Sequence, residues 1–185
     1  MPVMGSGVWR MEGKSIRDLI SAIKIGYRHF DCADFGNKFY VTRPIHNYDI
    51  FLTRDCLAYS KVKRPAVNQF ETHPYFQRDS LVNAHTIGGG AANTVRFGSV
   101  SCLDDPAFKA LAKKYKKTIA QLVLRWGIQR HTVVIPKSSK LQRLEENFEV
   151  LDFELAKEDM ELIKNADRKY RTNQPAKFWG VDLYA

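Results

Sequence analysis

The segment best equipped for chemistry is Ile135-Pro136-Lys137-Ser138-Ser139. Residues 132–136 are mostly apolar and β-branched, and they predict a buried strand that delivers Lys137 and Ser138 at its C-terminal end. A helix starting just beyond would present free backbone N–H groups and the positive end of its dipole at the same place. A phosphate group is the natural ligand of such a junction.

Three polar residues of that predicted helix, Arg143, Glu146 and Asn147, stand at positions i, i+3 and i+4. This spacing puts them on one helix face, where they could receive an adenosine ribose phosphate and the edge of an adenine. The same spacing fits an ordinary surface of paired charges. Both interpretations stay open, because cations near a helix start oppose its dipole and need some reason to be there.

The elements that must position these residues are helices alternating with short apolar strands. Helical spacing predicts a first helix between Ser15 and Gly26, and strands are predicted at residues 27–31, 65–69 and 132–136. The apolar residues of the first helix are Ile16, Leu19, Ile20 and Ile23. Because the strands lack in–out alternation, we expect a parallel sheet covered by helices. Polar residues gather at the C-terminal strand ends, where such proteins place their sites.

Helix-start signals are clearest in the C-terminal half of the chain. Pro106 follows two aspartates and is predicted to be the first residue of a helix. Thr118 and Gln121 have the spacing of a capping box for the next helix. The apolar residues of the helix at Pro106 are Phe108, Leu111, Ala112 and Tyr115, and those of the helix after Thr118 are Ile119, Leu122, Val123 and Trp126. Two later helices are predicted from Leu141, Leu144 and Phe148, and from Leu155, Met160, Leu162 and Ile163.

Length and composition bound the class of protein. The 185 residues suit one domain, since domains usually run to about 100–200 residues. A net charge of +9 favours an anionic partner. Basic residues are spread along the chain with acids among them, which argues against a nucleic-acid partner. The densest basic cluster, residues 113–117, predicts the solvated end of a helix.

The sequence also indicates a compartment. No apolar run approaches the about 18 residues that span a bilayer, and charges occupy the first thirty residues, so we expect a cytoplasmic protein with no membrane partner. Cys32, Cys56 and Cys102 are too few and too scattered for a disulfide framework or a zinc site. We expect reduced thiols and no metal.

The segment VVIPKSSKLQRLEENFEVLDFELAKEDMELI resembles the last strand and helix of the aldo-keto reductases. Other segments match in family order: MPVMGSGVWR resembles the first barrel strand, GYRHFDCAD the second, NYDIF the end of the fifth, AVNQFETHPYFQRDSL the sixth and AHTIGGG the seventh. The stretches FLTRDCLAYSKVK and KYRTNQPAKFWGVDLYA are similar to the plant aldose-6-phosphate reductases within that family.

The resemblance implies a single oxidoreductase domain over residues 1–185, with a (β/α)8 barrel fold. It also implies NADPH-dependent reduction of a sugar-phosphate aldehyde, mannose 6-phosphate or glucose 6-phosphate, to the alditol phosphate. Carried over by position, the NADP(H) contacts are Asp31, Asn47, Gln69, Lys137, Ser138, Arg143, Glu146 and Asn147, and Trp9 is a substrate-pocket aromatic. A Lys and an Arg near the adenosine 2′-phosphate would favour NADP over NAD.

The chain departs from the family pattern in length. A (β/α)8 barrel usually takes about 250 residues. The family would place its third and fourth strands, with their helices, between Tyr40 and Val41, and most of a helix and the start of the seventh strand between Val82 and Asn83. We therefore expect an incomplete barrel lacking about two strands, with unpaired strand edges through which the chain could self-associate.

The chain also departs in its catalytic residues. Hydride transfer in this family uses a Tyr as general acid, a Lys that lowers the pKa of that Tyr, an Asp that orients the Lys, and a His that positions the carbonyl. Only the Asp is matched, by Asp31; the Tyr position holds Gly36, and the nearest phenol is Tyr40. The Lys and the His fall in the missing strands. We expect impaired turnover; the alternatives are a catalytically inactive NADP-binding remnant and a truncated product that does not fold stably.

Overall fold

The structure is a computed structural model that describes residues 2–7, 15–31, 45–46, 68–79, 82 and 101–171, with backbone only at 15–19, 45–46 and 68–69. The strands are β1 (Ser6–Gly7), β2 (Phe30–Asp31), β3 (Ile45–His46) and β4 (Asn68–Gln69). The helices are α1 (Ser15–Ile25), α2 (Pro106–Tyr115), α3 (Ile119–Gln129), α4 (Leu141–Phe148) and α5 (Lys157–Lys164). Two short 3-10 helices span Cys102–Asp104 and Glu149–Leu151.

Strand β1 lies between β2 and the segment predicted as a strand at residues 132–136. On one side β1 pairs in parallel with β2, with Gly7 opposite Asp31. On the other side Val134 forms a parallel bridge to the start of β1, and the Gly7 amide donates to the Pro136 carbonyl at 3.1 Å. The C-terminal ends of the three segments therefore meet at one edge, as the sequence predicts.

A second parallel pair consists of β3 and β4. Ile45 lies opposite Asn68, and His46 lies opposite Gln69. Strand β4 falls within the predicted strand at residues 65–69. Both described pairs are parallel, in agreement with the predicted class.

Two larger apolar clusters and a separate pair, Phe70 with Val82, form the described core. One joins α2, α3 and α5 and consists of Tyr75, Cys102, Phe108, Leu111, Leu122, Trp126, Leu155 and Ile163. The other joins α1, α4 and the strands and consists of Met4, Ala22, Tyr27, Val134, Leu144 and Val150. The second cluster packs α4 against the strand edge that carries Lys137. The buried Cys102 is a free thiol, and its burial raises its pKa to about 11.

The predicted helix starts are confirmed. Helix α2 begins at Pro106, and the Asp105 carboxylate accepts from the Ala107 amide at 2.8 Å. Helix α3 begins with the full capping box, in which Thr118 and Gln121 bond each other's backbone amides. Local sequence chemistry therefore decides where these two helices start.

The expected apolar face of α1 is wrong in part. Ile20 and Ile23 are 50% and 46% exposed, and among the α1 side chains that the structure describes, residues 20–25, the buried one is Ala22. Leu141 of α4 and Leu162 of α5 are likewise exposed. Periodicity shows that a helix has an apolar side, but which residues are covered depends on the neighbours actually present.

The basic cluster at the end of α2 pairs with acids, as expected for the solvated end of a helix. Lys114 Nζ lies 2.6 Å from an oxygen of Asp159, and the Tyr115 hydroxyl donates to the same carboxylate. Lys117 pairs with Asp152 at 2.7 Å. These contacts join the end of α2 to α5 and to the segment before it.

The Asp159 contact predicts an acid-dependent loss of stability. Hydrogen bonds from Lys114 and then Tyr115 hold the pKa of Asp159 below its ordinary value. A lowered carboxyl pKa contributes stability that is complete above the unfolded value of about 4 and is lost as the pH falls through the folded value. Urea unfolding should show a smaller loss of stability below about pH 4 in Asp159→Asn than in the wild type. Asp152→Asn controls for loss of one carboxylate; equal losses in all three proteins would contradict the prediction.

Candidate binding site at the strand edge

The candidate site begins where β1 and the segment ending at Pro136 finish side by side. Gly7 closes β1, and a Cβ atom added there would lie 3.2 Å from the Ile135 carbonyl oxygen and 3.4 Å from Lys137 Cβ. Asp31 stands opposite Gly7 on β2. Asp31 and Lys137 therefore lie on the two sides of Gly7, whose lack of a side chain lets the segment that ends at Lys137 pack closely against β1.

Ser138 shapes the turn between this edge and α4. Its side chain is buried, and its hydroxyl accepts from the Lys140 amide at 3.1 Å and lies 3.3 Å from the Lys140 carbonyl oxygen. This local turn brings Lys140 to the N-cap position of α4. Ser138 therefore serves the junction by fixing the backbone.

The start of α4 is electropositive. Its N-cap residue, Lys140, has extended backbone angles and makes no side-chain capping hydrogen bond, and the first turn holds no acidic residue. Lys137, Lys140 and Arg143 are all exposed around this start. Uncapped amides, a positive dipole end and three cations together make a suitable anion-binding site.

The three predicted ligand residues of α4 differ in burial. Arg143 is exposed and makes no ion pair with the part of the chain that the structure describes, whereas Asn147 is buried. The half-buried Glu146 accepts from Gln142 Nε2 at 2.9 Å. A surface of paired charges would place Arg143 against a carboxylate, so this arrangement favours the binding interpretation.

Two buried side chains hold α4 in place. The Tyr27 hydroxyl donates to the Leu144 carbonyl at 2.9 Å, and Gln121 Nε2 donates to the Glu146 carbonyl at 2.7 Å. Burial raises the pKa of Tyr27 to about 12, so its hydroxyl remains a donor at neutral pH. The sequence marks Gln121 as a helix cap, but nothing in it signals either of these long-range bonds.

The structure describes the other predicted site residues only in part or not at all. Gln69 ends β4 beside His46 of β3, and only its backbone is described. Asn47, Trp9 and Tyr40 lie outside the described residues. The structure therefore brings one group together at the β1 edge and on α4, consisting of Asp31, Lys137, Ser138, Arg143, Glu146 and Asn147.

The described parts of the chain contain neither a metal-binding cluster nor a membrane-spanning helix. No three His, Cys, Asp or Glu residues among them are grouped so that they could hold a metal ion. Within the same residues, no helix is long and apolar enough to cross a membrane.

Comparison with known proteins supports the resemblance seen in the sequence. Residues 55–168 match the aldo/keto reductase family. NADP-dependent D-sorbitol-6-phosphate dehydrogenase of Malus domestica is 41% identical over an alignment of 300 residues, which covers 100% of this chain and 96% of that protein. Aldose reductase B of Dictyostelium discoideum is 36% identical over 143 residues, 76% of this chain and 46% of that protein. The match thus spans less than half of the Dictyostelium enzyme.

A comparison with a solved structure supports the fold independently of the sequence matches. The structure of the aldose reductase from Schistosoma japonicum superimposes with a TM-score of 0.78 at 19% identity, covering 100% of this chain and 94% of that one. The chain belongs to the aldo/keto reductase family, and its fold is the (β/α)8 barrel of that family. The resemblance expected from the sequence is confirmed.

The uncapped start of α4 predicts a conflict between stability and anion binding. Lys140→Ser should add a side-chain cap and raise the free energy of unfolding by about 1 kcal/mol. It should also reduce the stabilisation that added pyrophosphate gives, because a cation is lost. Ala156→Ser is the matched control, since Ala156 is the uncapped N-cap of α5. Thermal melts with and without pyrophosphate measure both effects; full pyrophosphate stabilisation in Lys140→Ser would contradict the assignment.

Proposed function

We propose that the chain binds NADP(H) between the strand edge and α4, as a member of its family that acts on sugar-phosphate aldehydes. The observation that carries this proposal is the uncapped start of α4, with Lys137, Lys140 and Arg143 exposed around it. The apple relative, named an NADP-dependent sorbitol-6-phosphate dehydrogenase, supports both the cofactor and the substrate class. The family reaction would be reduction of mannose 6-phosphate or glucose 6-phosphate to the alditol phosphate.

The residues present suit a dinucleotide that bears an extra phosphate. The guanidinium of Arg143 can form a charge-assisted fork to the adenosine 2′-phosphate, and the Lys137 ammonium adds a second cation. Asn147 offers an amide on the same helix for the adenine edge. Bound NADPH supplies the hydride for carbonyl reduction.

The proton that must accompany the hydride has no evident donor. A positioned acid typically contributes about 10²–10⁴-fold in rate, and the family's acid position holds Gly36, which has no side chain to donate from. Asp31 matches the residue that orients the Lys, and that Lys falls in the missing strands. We therefore propose that turnover is impaired, and Gly36 favours a second candidate function, NADP(H) binding without catalysis.

The proposal also includes an incomplete barrel. The alignment with the apple relative has 300 positions, and this chain has 185 residues, so 115 aligned positions hold no residue of this chain. This supports the loss of about two strands near residues 40/41 and 82/83. The exposed Ile20 and Ile23 on α1 support self-association, because barrel strands and helices left without neighbours recruit other chains.

Cofactor selectivity tests the binding site. NADP⁺ should bind more tightly than NAD⁺, and Arg143→Ala should weaken NADP⁺ binding about tenfold or more while leaving NAD⁺ binding nearly unchanged. Lys109→Ala removes an equally exposed cation from α2 and should change neither affinity. Isothermal titration calorimetry measures the affinities of all three proteins for both cofactors. Equal affinities in the wild type, or an unaltered Arg143→Ala variant, would contradict the proposal.

An activity assay tests whether the chain lacks a general acid. We expect no measurable oxidation of NADPH with mannose 6-phosphate or glucose 6-phosphate, because the general-acid contribution of about 10²–10⁴-fold is lost. Absorbance at 340 nm follows the reaction. Turnover that disappears in Tyr40→Phe would instead identify Tyr40 as the acid. Turnover that survives in Tyr40→Phe but is lost in Asp31→Asn would point to a different donor.

A further inference from the structure

Helix α4 is held through its own backbone by two side chains from other elements. The Tyr27 hydroxyl reaches the Leu144 carbonyl at 2.9 Å, and Gln121 Nε2 reaches the Glu146 carbonyl at 2.7 Å. Tyr27 and Gln121 are 0% and 3% exposed; the Tyr27 bond is buried and the Gln121 bond is partly buried. A buried bond of this kind is costly to break, because the partner left behind stays unsatisfied.

The two held carbonyls are next to the polar residues of α4. The Leu144 carbonyl belongs to the residue that follows Arg143, and the Glu146 carbonyl is part of the peptide unit from which Asn147 continues. Because a peptide unit is planar, fixing the Glu146 oxygen also fixes the amide nitrogen of Asn147. The bonds therefore act on the backbone that carries Arg143 and Asn147, without touching their side chains.

The two donors belong to different elements of the fold. Tyr27 lies on the segment leading into β2, four residues before Asp31, and its ring packs on Phe148 with 5.0 Å between centroids. Gln121 lies in the first turn of α3. One donor thus ties α4 to the strand edge, and the other ties it to the neighbouring helix.

We infer that Tyr27 and Gln121 are positioning residues for cofactor selectivity. Together they form a two-point clamp that sets α4 against the strand edge so that Arg143 and Asn147 meet the adenosine 2′-phosphate end of NADP(H). The inference rests on the proposed function, since it assigns these two residues a role in that same site. Only NADP⁺ carries the 2′-phosphate, and binding of that phosphate depends on where Arg143 lies. A clamp that positions Arg143 therefore affects the discrimination between NADP⁺ and NAD⁺.

Gln121 has a second role that the test must separate. Its Oε1 accepts from the Thr118 amide at 2.9 Å in the capping box of α3. Thr118→Ala weakens that cap and leaves the bond to α4 intact. Gln129, near the other end of α3, makes a similar pair of amide bonds to the Leu155 backbone, at 3.0 and 2.8 Å, away from α4. Thr118→Ala and Gln129→Met are therefore matched controls.

The experiment measures NADP⁺ and NAD⁺ dissociation constants by calorimetry on the full chain. Tyr27→Phe and Gln121→Met should each lower the ratio of the NAD⁺ to the NADP⁺ constant about fivefold, the equivalent of one hydrogen bond. The two controls should keep the wild-type ratio even where their melting temperatures fall. If Gln121→Met does not fold, Tyr27→Phe decides the question.

A second measurement needs no cofactor. Hydrogen exchange of the α4 amides should be faster in Tyr27→Phe and Gln121→Met than in the wild type and the two controls. A wild-type ratio in both clamp variants, a proportional loss of affinity for both cofactors, or unchanged exchange in α4 would overturn the inference. If the wild type shows no preference for NADP⁺, the proposed function is refuted. Hydrogen exchange would still show whether Tyr27 and Gln121 hold α4.

Discussion

The packing of α4 against the strands is the contact on which the described site depends. Leu144 is 1% exposed within the cluster shared by α1, α4 and the strands. With Leu144 turned inward, helix geometry decides where the polar neighbours go: Arg143 lies at the surface, and Asn147 lies close to the core. An apolar contact thus orients side chains whose function is polar, and the bonds from Tyr27 and Gln121 fix the same helix along its length.

The start of α4 combines a missing side-chain cap with three nearby cations, whereas α5, which also lacks a cap at Ala156, has Glu158 and Asp159 in its first turn. Helices α2 and α3 are capped by Asp105 and Thr118, whereas α4 begins at Lys140 with its amides uncapped. Cations at a helix N-terminus oppose the dipole and lower local stability. Natural proteins break such local rules mainly at functional sites, where a ligand provides the missing partner. A phosphate at this position would satisfy the amides and neutralise the cations together.

The local elements could be predicted from the sequence, and the long-range relations between them could not. The start at Pro106 and the capping box at Thr118 each depend on a few neighbouring residues, and both were predicted correctly. Of the strand predicted at residues 132–136, the structure shows a single parallel bridge at Val134. The Tyr27 bond to Leu144 joins residues 117 positions apart, and no local pattern encodes it. The exposure of Ile20 and Ile23 was missed because periodicity gives the apolar side of a helix and not the elements available to cover it.

Most of the candidate site could also be predicted from the sequence, because its residues are close together along the chain. The strand end, the Lys137–Ser138 pair and the polar face of α4 lie within one continuous stretch, so spacing alone placed them together. Asp31 was predicted from the resemblance, but its place opposite Gly7 required the register of β1 with β2. The central claim is that this edge and the start of α4 hold the 2′-phosphate of NADP(H). A crystal structure of the chain grown with NADP⁺ tests it most directly: we expect the 2′-phosphate within hydrogen-bond distance of Arg143, with Asp31 and Lys137 at the same cleft. A phosphate bound elsewhere, or a start of α4 empty at saturating NADP⁺, would contradict the account.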